Sequence, residues 1–248
     1  MNRFDAFLSD QAEIGRLDFR GLSSSDAEMH RQYQRRNSFG LDPARKIHRI
    51  FQKAFYEKDV ADGYLTLPRA SASVWGDLLE NPLENVTEID PVTGDTVNLG
   101  SLVNGFYGLC WTARDSATDR DWDYFSHEVP AIRITTSVGR LLGRMMRLED
   151  PWYMNRSWII QVDYKDSPFI KMMQNPGEVH RRIESTGALL ALSTAIVDSN
   201  YDDEDEVRVL FDNSITSACP GVVSISGDPD LVRVPFDWSG IVEKEVLP

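Results

Sequence analysis

The chain is 248 residues long, enough for one large domain or two small ones, with roughly 70 to 75% of the unfolded surface removed from water. Its 39 acidic against 26 basic side chains give a formal net charge of -13. That balance excludes generic binding to nucleic acid or anionic membrane and demands a local basic cluster for any anionic ligand. Cys110 and Cys219 form neither a CxxC pair nor a disulfide framework, so zinc and a secreted disulfide scaffold fit poorly and a reducing cytoplasm fits best. MNRFDAFLSDQAE is broken by charge too early for a signal peptide, and the longest apolar run, ALLALSTAIV at 188 to 197, is about half a membrane span. The expectation is a soluble cytoplasmic chain with no membrane partner.

Residues 1 to 45 are polar and lack strand-like alternation, which predicts a helical N-terminal extension, with a helix near 25 to 36 behind the Ser/Asp capping cluster of SSSDAEMHRQYQRR. From residue 46 a single domain is expected. Its short β-rich segments read KIHRIF, GYLTLPRA, VNGFYGLCWTA, PAIRITTSV, SWIIQVDY, DEVRVLF and GVVSIS, separated by Pro, Gly and Asp turns. Helical patterns fall at 51 to 61, 138 to 148 and 178 to 195. The second places Leu141, Leu142, Met145, Met146 and Leu148 mainly on one face. Strands and helices without regular βαβ alternation predict α+β: a split, mixed β core with flanking helices. There is no internal repeat and no glycine-rich phosphate loop.

The stretch NYDDEDEVRVLFD at 200 to 212 turns from an acidic run into strand-like alternation. An EF-hand count from Asp198 fails, with Asp203 where Gly is required and Val209 where a bidentate Glu is required, and no metal is expected. A strand starting near Glu204 puts Glu204, Glu206, Arg208 and Leu210 on one face and Asp205, Val207, Val209 and Phe211 on the other. Glutamate is a poor strand former, so two on one strand imply a solvated edge or a use. If Glu206 is used in catalysis, its amide variant loses turnover and keeps its stability.

An E-x-E step on a strand resembles the device of ADP-ribosyltransferases. In that family the second glutamate bonds the nicotinamide-ribose hydroxyl and stabilises an oxocarbenium-like centre as nicotinamide leaves, while the first serves the acceptor. The resemblance implies Glu206 as the catalytic carboxylate, Glu204 as the accessory one, and NAD as substrate. Over about residues 46 to 211 the chain also resembles an uncharacterised bacterial domain family. Its members order a basic-aromatic strand, an N-D-P-F-E-like turn, a W-x-x-Y segment and E-x-E-x-R. Here these read KIHRIF, YLTLPRASASVWGDLLE, LCWTARDSATDRDWDYF and EDEVR. Asp77, Leu79 and Glu80 match the turn, Gly76 and Leu78 depart from it, and Phe125 replaces the Tyr unless Tyr124 substitutes.

The same resemblance implies a basic residue on the first strand, here His48 or Arg49, that grips the dinucleotide. It also implies Thr135 and Ser137 as hydroxyls bracing the catalytic glutamate. Among the aromatics, Tyr107, Trp111, Trp122, Tyr124 and Tyr164, the cofactor-binding candidates for a nicotinamide-stacking wall are Trp111 and Tyr124. The implied partners are NAD, a macromolecular acceptor and a neutralising antitoxin, in a toxin or phage-defence setting. Two other readings stay open. A glycosidase-type hydrolase would pair Glu204 and Glu206 with Asp77 or Glu80, and a non-catalytic acidic module would offer EDE to a basic partner. No G-x-S-x-G or H-E-x-x-H motif competes, and His127 and His180 read as surface residues.

Overall fold

A computed structural model describes residues 3–19, 27–75, 83, 86–89, 92–166, 186–214, 220–225 and 228–246. The expected turn at Gly76 to Glu80, together with His180 and Cys219, lies outside the described residues. The N-terminal segment is helical, as α1 (Arg3–Phe19) and α2 (Ala27–Asn37). Ile14, Leu17, Met29 and Tyr33 of these helices enter one hydrophobic core and Phe7 enters a second. The helices also close a sheet edge. Asn37 donates to the carbonyls of Met154 (2.8 Å) and Ser157 (2.9 Å), and Arg3 donates to that of Val162 (3.0 Å). These carbonyls flank the outermost strand, where an unpaired row would otherwise invite edge-to-edge pairing.

The chain folds as α+β. After β1 (Lys46–Gln52), α3 (Lys53–Asp62) ends at Gly63, whose φ of 73° is the left-handed conformation that a helix stop favours. The chain turns there into β2 (Tyr64–Pro68), followed by the short α4 (Ala72–Trp75) and the hairpin β3 (Thr87–Ile89) and β4 (Thr96–Asn98). Next come β5 (Phe106–Thr112), α5 (Asp119–Ser126), β6 (Ala131–Ser137), α6 (Val138–Met145), β7 (Ser157–Gln161) and β8 (Asp163–Lys165). The remainder is α7 (Ala188–Ser193), β9 (Ile196–Asp198), β10 (Glu206–Asp212), β11 (Val223–Ile225), β12 (Asp228–Pro235) and β13 (Lys244–Val246).

Six strands in the order β13-β6-β1-β5-β10-β7 form the main sheet, all neighbours antiparallel; a second sheet runs β11-β12-β2. Among the described residues, parallel pairing is confined to β8 with β9. The main sheet is split along its middle. β6 pairs with β1 at seven positions and β5 with β10 at seven, yet β1 and β5 are paired only at His48 and Thr112. Beyond that position the central strands part, and β5 is instead bridged to the end of β2 through Tyr107 and Arg69.

Alternation sorts the side chains between two cores. Val207, Val209 and Phe211 face the second sheet with Ile47, Leu109, Trp111, Ile134, Leu65, Leu67, Val232 and Val234. On the opposite face Leu210, Trp158, Ile160 and Phe106 meet the α7 residues Ala188 to Ala191. Each large apolar side chain so buried contributes roughly 1.5 to 3 kcal/mol. Phe51, Tyr56, Trp111, Phe236 and Trp238 form an aromatic cluster with centroid separations of 4.8 to 6.4 Å, packed between the sheets. Helix α6 buries Val138, Leu141, Leu142 and Met145 as its pattern predicts, but it stops at Met145, so Leu148 leaves that face and is exposed.

Gly108 is required where β5 pairs with β10, opposite Leu210. A Cβ there would fall on the Val209 carbonyl oxygen and 2.8 Å from Leu210 Cδ2. Backbone cannot step aside as a flexible side chain can. Gly108→Ala is therefore expected to cost about 1 to 3 kcal/mol of stability, read as a lowered urea midpoint with unchanged slope.

Candidate functional site

Four polar side chains stand in a line across the main sheet. Residues directly opposite in antiparallel strands share a face, and the register pairs Thr135 of β6 with His48 of β1, His48 with Thr112 of β5, and Thr112 with Glu206 of β10. At the usual strand spacing this sets His48 and Glu206 about 10 Å apart on one face. The line crosses the sheet at the point where the central strands begin to part. His48 Nδ1 lies 2.9 Å from Thr135 Oγ1, and its Nε2 lies 3.8 Å from the Asp115 carboxylate on the loop after β5. Arg133, on the same face, holds that loop by donating to the carbonyls of Arg114 (2.7 Å) and Asp115 (2.9 Å).

Arg49 points to the other side of β1, as strand alternation requires, and its guanidinium lies 5.1 Å over the Phe51 ring. It donates to the Cys110 carbonyl, on the strand from which β1 has separated. Burial draws its pKa below the ordinary arginine value, and Coulombic interaction with Cys110 and Glu206 opposes that shift. Both basic residues expected on the first strand thus gather at the split, His48 in the polar line and Arg49 behind it.

Glu206 is 5% exposed. Its carboxylate accepts from Arg208 Nε at 2.8 Å and Nη2 at 3.2 Å, a two-point pairing within one strand. Arg208 is fully buried, stacks 4.8 Å over the Trp75 ring and donates its other nitrogen to the Thr194 carbonyl. The Glu206 backbone N–H donates to the Tyr164 hydroxyl at 2.9 Å, and burial raises the pKa of that phenol. The acid of the expected E-x-E step is therefore a fixed, paired carboxylate.

Glu204 corrects the expectation that both acids ride one strand. Residues Ser199–Glu204 form a 3-10 turn, started by the Asp198 side chain accepting from Asn200 N, and β10 begins only at Glu206. Asp205 between them is left-handed, with φ of 43°, and its carboxylate is held by Gln161 at 2.8 Å and Arg45 at 3.4 Å. Thr112 Oγ1 donates to the Glu204 carbonyl at 2.7 Å, which fastens the turn to the polar line. Local capping chemistry overrode strand alternation here. Glu204 still faces the charges of its neighbours. Its pKa is pushed up from 4.5 to about 6, first by desolvation and then by Glu206 and Asp203, with Arg208 and Arg114 opposing.

A carboxyl whose pKa is higher in the folded protein than in the unfolded chain favours the fold most when protonated. Its ionised form is the destabilised one. Glu204→Gln is thus expected to raise the melting temperature slightly at pH 7 to 8, and the gain should vanish as pH falls through about 6 to below 4.5. A melting-temperature series across that window checks it. The effect is small because the residue as a whole is exposed and solvent screens it.

The remaining candidates divide. Thr135 belongs to the line but meets His48, three strands from Glu206, and Ser137 lies one pair further along the same face, opposite Lys46, so neither braces the glutamate as expected. Trp111 does not join them. It pairs with Val207, so its ring lies on the face opposite Glu206, 2% exposed in the aromatic cluster. Tyr124 stands on α5, 66% exposed, edge-on to Phe125 at 5.0 Å. His127 is exposed as expected. Among the described residues no group of His, Cys, Asp or Glu has metal-holding geometry. An open groove of 1070 Å³ is lined by residues including Tyr56, Arg144, Arg147 and Trp238, and by none of the polar line.

The sequence assigns no role to Thr112, Asp115 or Arg208, and offers Tyr164 as an aromatic of the stacking wall rather than as the hydroxyl that accepts from Glu206 N. Only Arg208 carried a signal, because E-x-E-x-R sets it on the Glu206 face two residues on. Comparison of the chain with protein-family models, curated proteins and solved structures gives no match.

Proposed function

We propose that the polar line is a site for cleaving the nicotinamide N-glycosidic bond of NAD, with transfer of the ADP-ribosyl group to a macromolecular acceptor. The observation that carries this reading is the register itself, which sets His48 and Glu206 on one face, two strands apart, where the sheet splits. Each oxygen of Glu206 keeps a lone pair beyond its bond from Arg208. One can accept a ribose hydroxyl while the negative charge stabilises the cation that develops at the anomeric carbon. Nicotinamide leaves as a neutral amide with the bonding electrons. Glu204, with a pKa near 6, is a base suited to take the acceptor's proton at neutral pH. His48, on the same face, is the basic side chain within reach of the dinucleotide, while Arg49 lies behind the sheet and touches the Cys110 carbonyl instead.

The buried pairing of Glu206 with Arg208 favours a second reading. A pair of this kind also fixes a buried arginine in place, here one that ties β10 to the Thr194 carbonyl, and the chain would then be a non-catalytic acidic module. Incubating the full chain with NAD and following free nicotinamide by chromatography separates the two. Release that saturates with NAD supports the transferase, and its absence at substrate and protein concentrations well above trace leaves the module.

A further inference from the structure

The geometry points to helix α5 as the surface on which a basic protein segment docks, presenting the acceptor side chain to the polar line; this rests on the transfer reading above. All of α5 lies at the surface, and no residue of it is buried. An aromatic pair nonetheless sits on it: Tyr124 is 66% and Phe125 38% exposed, in edge-on contact, and Val129 beyond them is 44% exposed. Exposed together and in contact, these rings offer an apolar and aromatic surface beside the charges. Between Arg114 and Val129 five carboxylates, Asp115, Asp119, Asp121, Asp123 and Glu128, face two arginines, Arg114 and Arg120. Arg114 is spent on Asp121 at 2.8 Å.

The surface is held in place rather than loose. Thr118 and Asp121 close a capping box at the helix start, and His127 and Glu128 end it in successive left-handed conformations, with φ of 50° and 63°. It is also continuous with the candidate site. Asp115, whose side chain is fully exposed, lies 3.8 Å from His48 Nε2, and the Arg114 side chain joins the same loop to the helix through Asp121. An arginine- or lysine-bearing segment matches both features, since cations pair with the carboxylates and stack on tyrosine and tryptophan faces. A nucleic-acid acceptor meets the wrong sign of charge.

Fluorescence anisotropy of a labelled peptide of alternating arginine and glycine, added to the full chain without NAD, tests the assignment. Binding is expected to weaken with salt. It should fall about 5- to 10-fold in the double variant Tyr124→Ala with Phe125→Ala, and at least as far in Asp123→Lys with Glu128→Lys. The pair Asp202→Lys with Asp203→Lys, in the other acidic segment, should bind as the unchanged chain does. Because all these residues are exposed, unchanged melting temperatures confirm that each variant is folded. Equal binding by the α5 variants, loss of binding in the Asp202 and Asp203 variant alone, or preference for a single-stranded oligonucleotide would overturn the proposal. Nicotinamide release from the same preparations reports separately on catalysis. Release without α5-dependent peptide binding sinks the docking surface alone, and peptide binding without release sinks the transfer reading while α5 remains a basic-segment site.

Discussion

Replacing Arg208 by methionine is expected to destabilise the chain by about 3 to 5 kcal/mol, because it strands a buried carboxylate. The arginine has no exposed surface and Glu206 has 5%, so water does not readily replace both of its hydrogen bonds. Methionine fills similar volume and keeps contact with the Trp75 ring, so the loss reports the charge more than a cavity. Adding Glu206→Gln to Arg208→Met should recover part of the loss, a coupling of about 1 to 3 kcal/mol in a double-mutant cycle of urea unfolding. A loss under about 1 kcal/mol in the single variant would show that the pair does not hold the strand.

The second large effect concerns chemistry. Glu206→Gln preserves shape and one acceptor oxygen but removes the negative charge facing the developing cation. Turnover of NAD should drop by about 10² or more, equivalent to roughly 3 kcal/mol of transition-state stabilisation. The sequence alone makes this acid a strand residue whose amide keeps full stability. Its burial against Arg208 changes that expectation, since a neutral amide bonds the guanidinium less strongly, and a loss of about 1 to 2 kcal/mol is anticipated. Rates must accordingly be compared well below the variant's melting temperature.

Much of the sheet was legible because hydrophobic alternation is a local signal. Val207, Val209 and Phe211 read as core residues, and Glu206 and Arg208 read as neighbours on the other face, as they are found. Register was not legible. Nothing near His48 or Thr112 in the sequence says that they meet, yet that one pair sets the distance between His48 and Glu206. Glu204 was misplaced because the Asp198 cap and the left-handed Asp205 end a turn there, a local hydrogen-bond choice that strand periodicity does not register. β12 went unseen because Pro229 and Pro235 bracket it, although Val232 and Val234 alternate into the core. For α5 the signal is present in the capping-box spacing of Thr118 and Asp121, but the aromatics that follow form no buried apolar stripe, so hydrophobic periodicity does not mark the helix.

Whether Glu206 acts on NAD is decided by nicotinamide release measured side by side for the unchanged chain, Glu206→Gln and Asp203→Asn. Asp203 belongs to the turn rather than the polar line, so its amide removes the same charge outside the site. Saturable release is expected from the unchanged chain, near-normal release from Asp203→Asn, and a drop of about 10² or more in Glu206→Gln with that variant verifiably folded at the assay temperature. Release that is equal in all three, or lost equally in both variants, would contradict a role of Glu206 in the reaction.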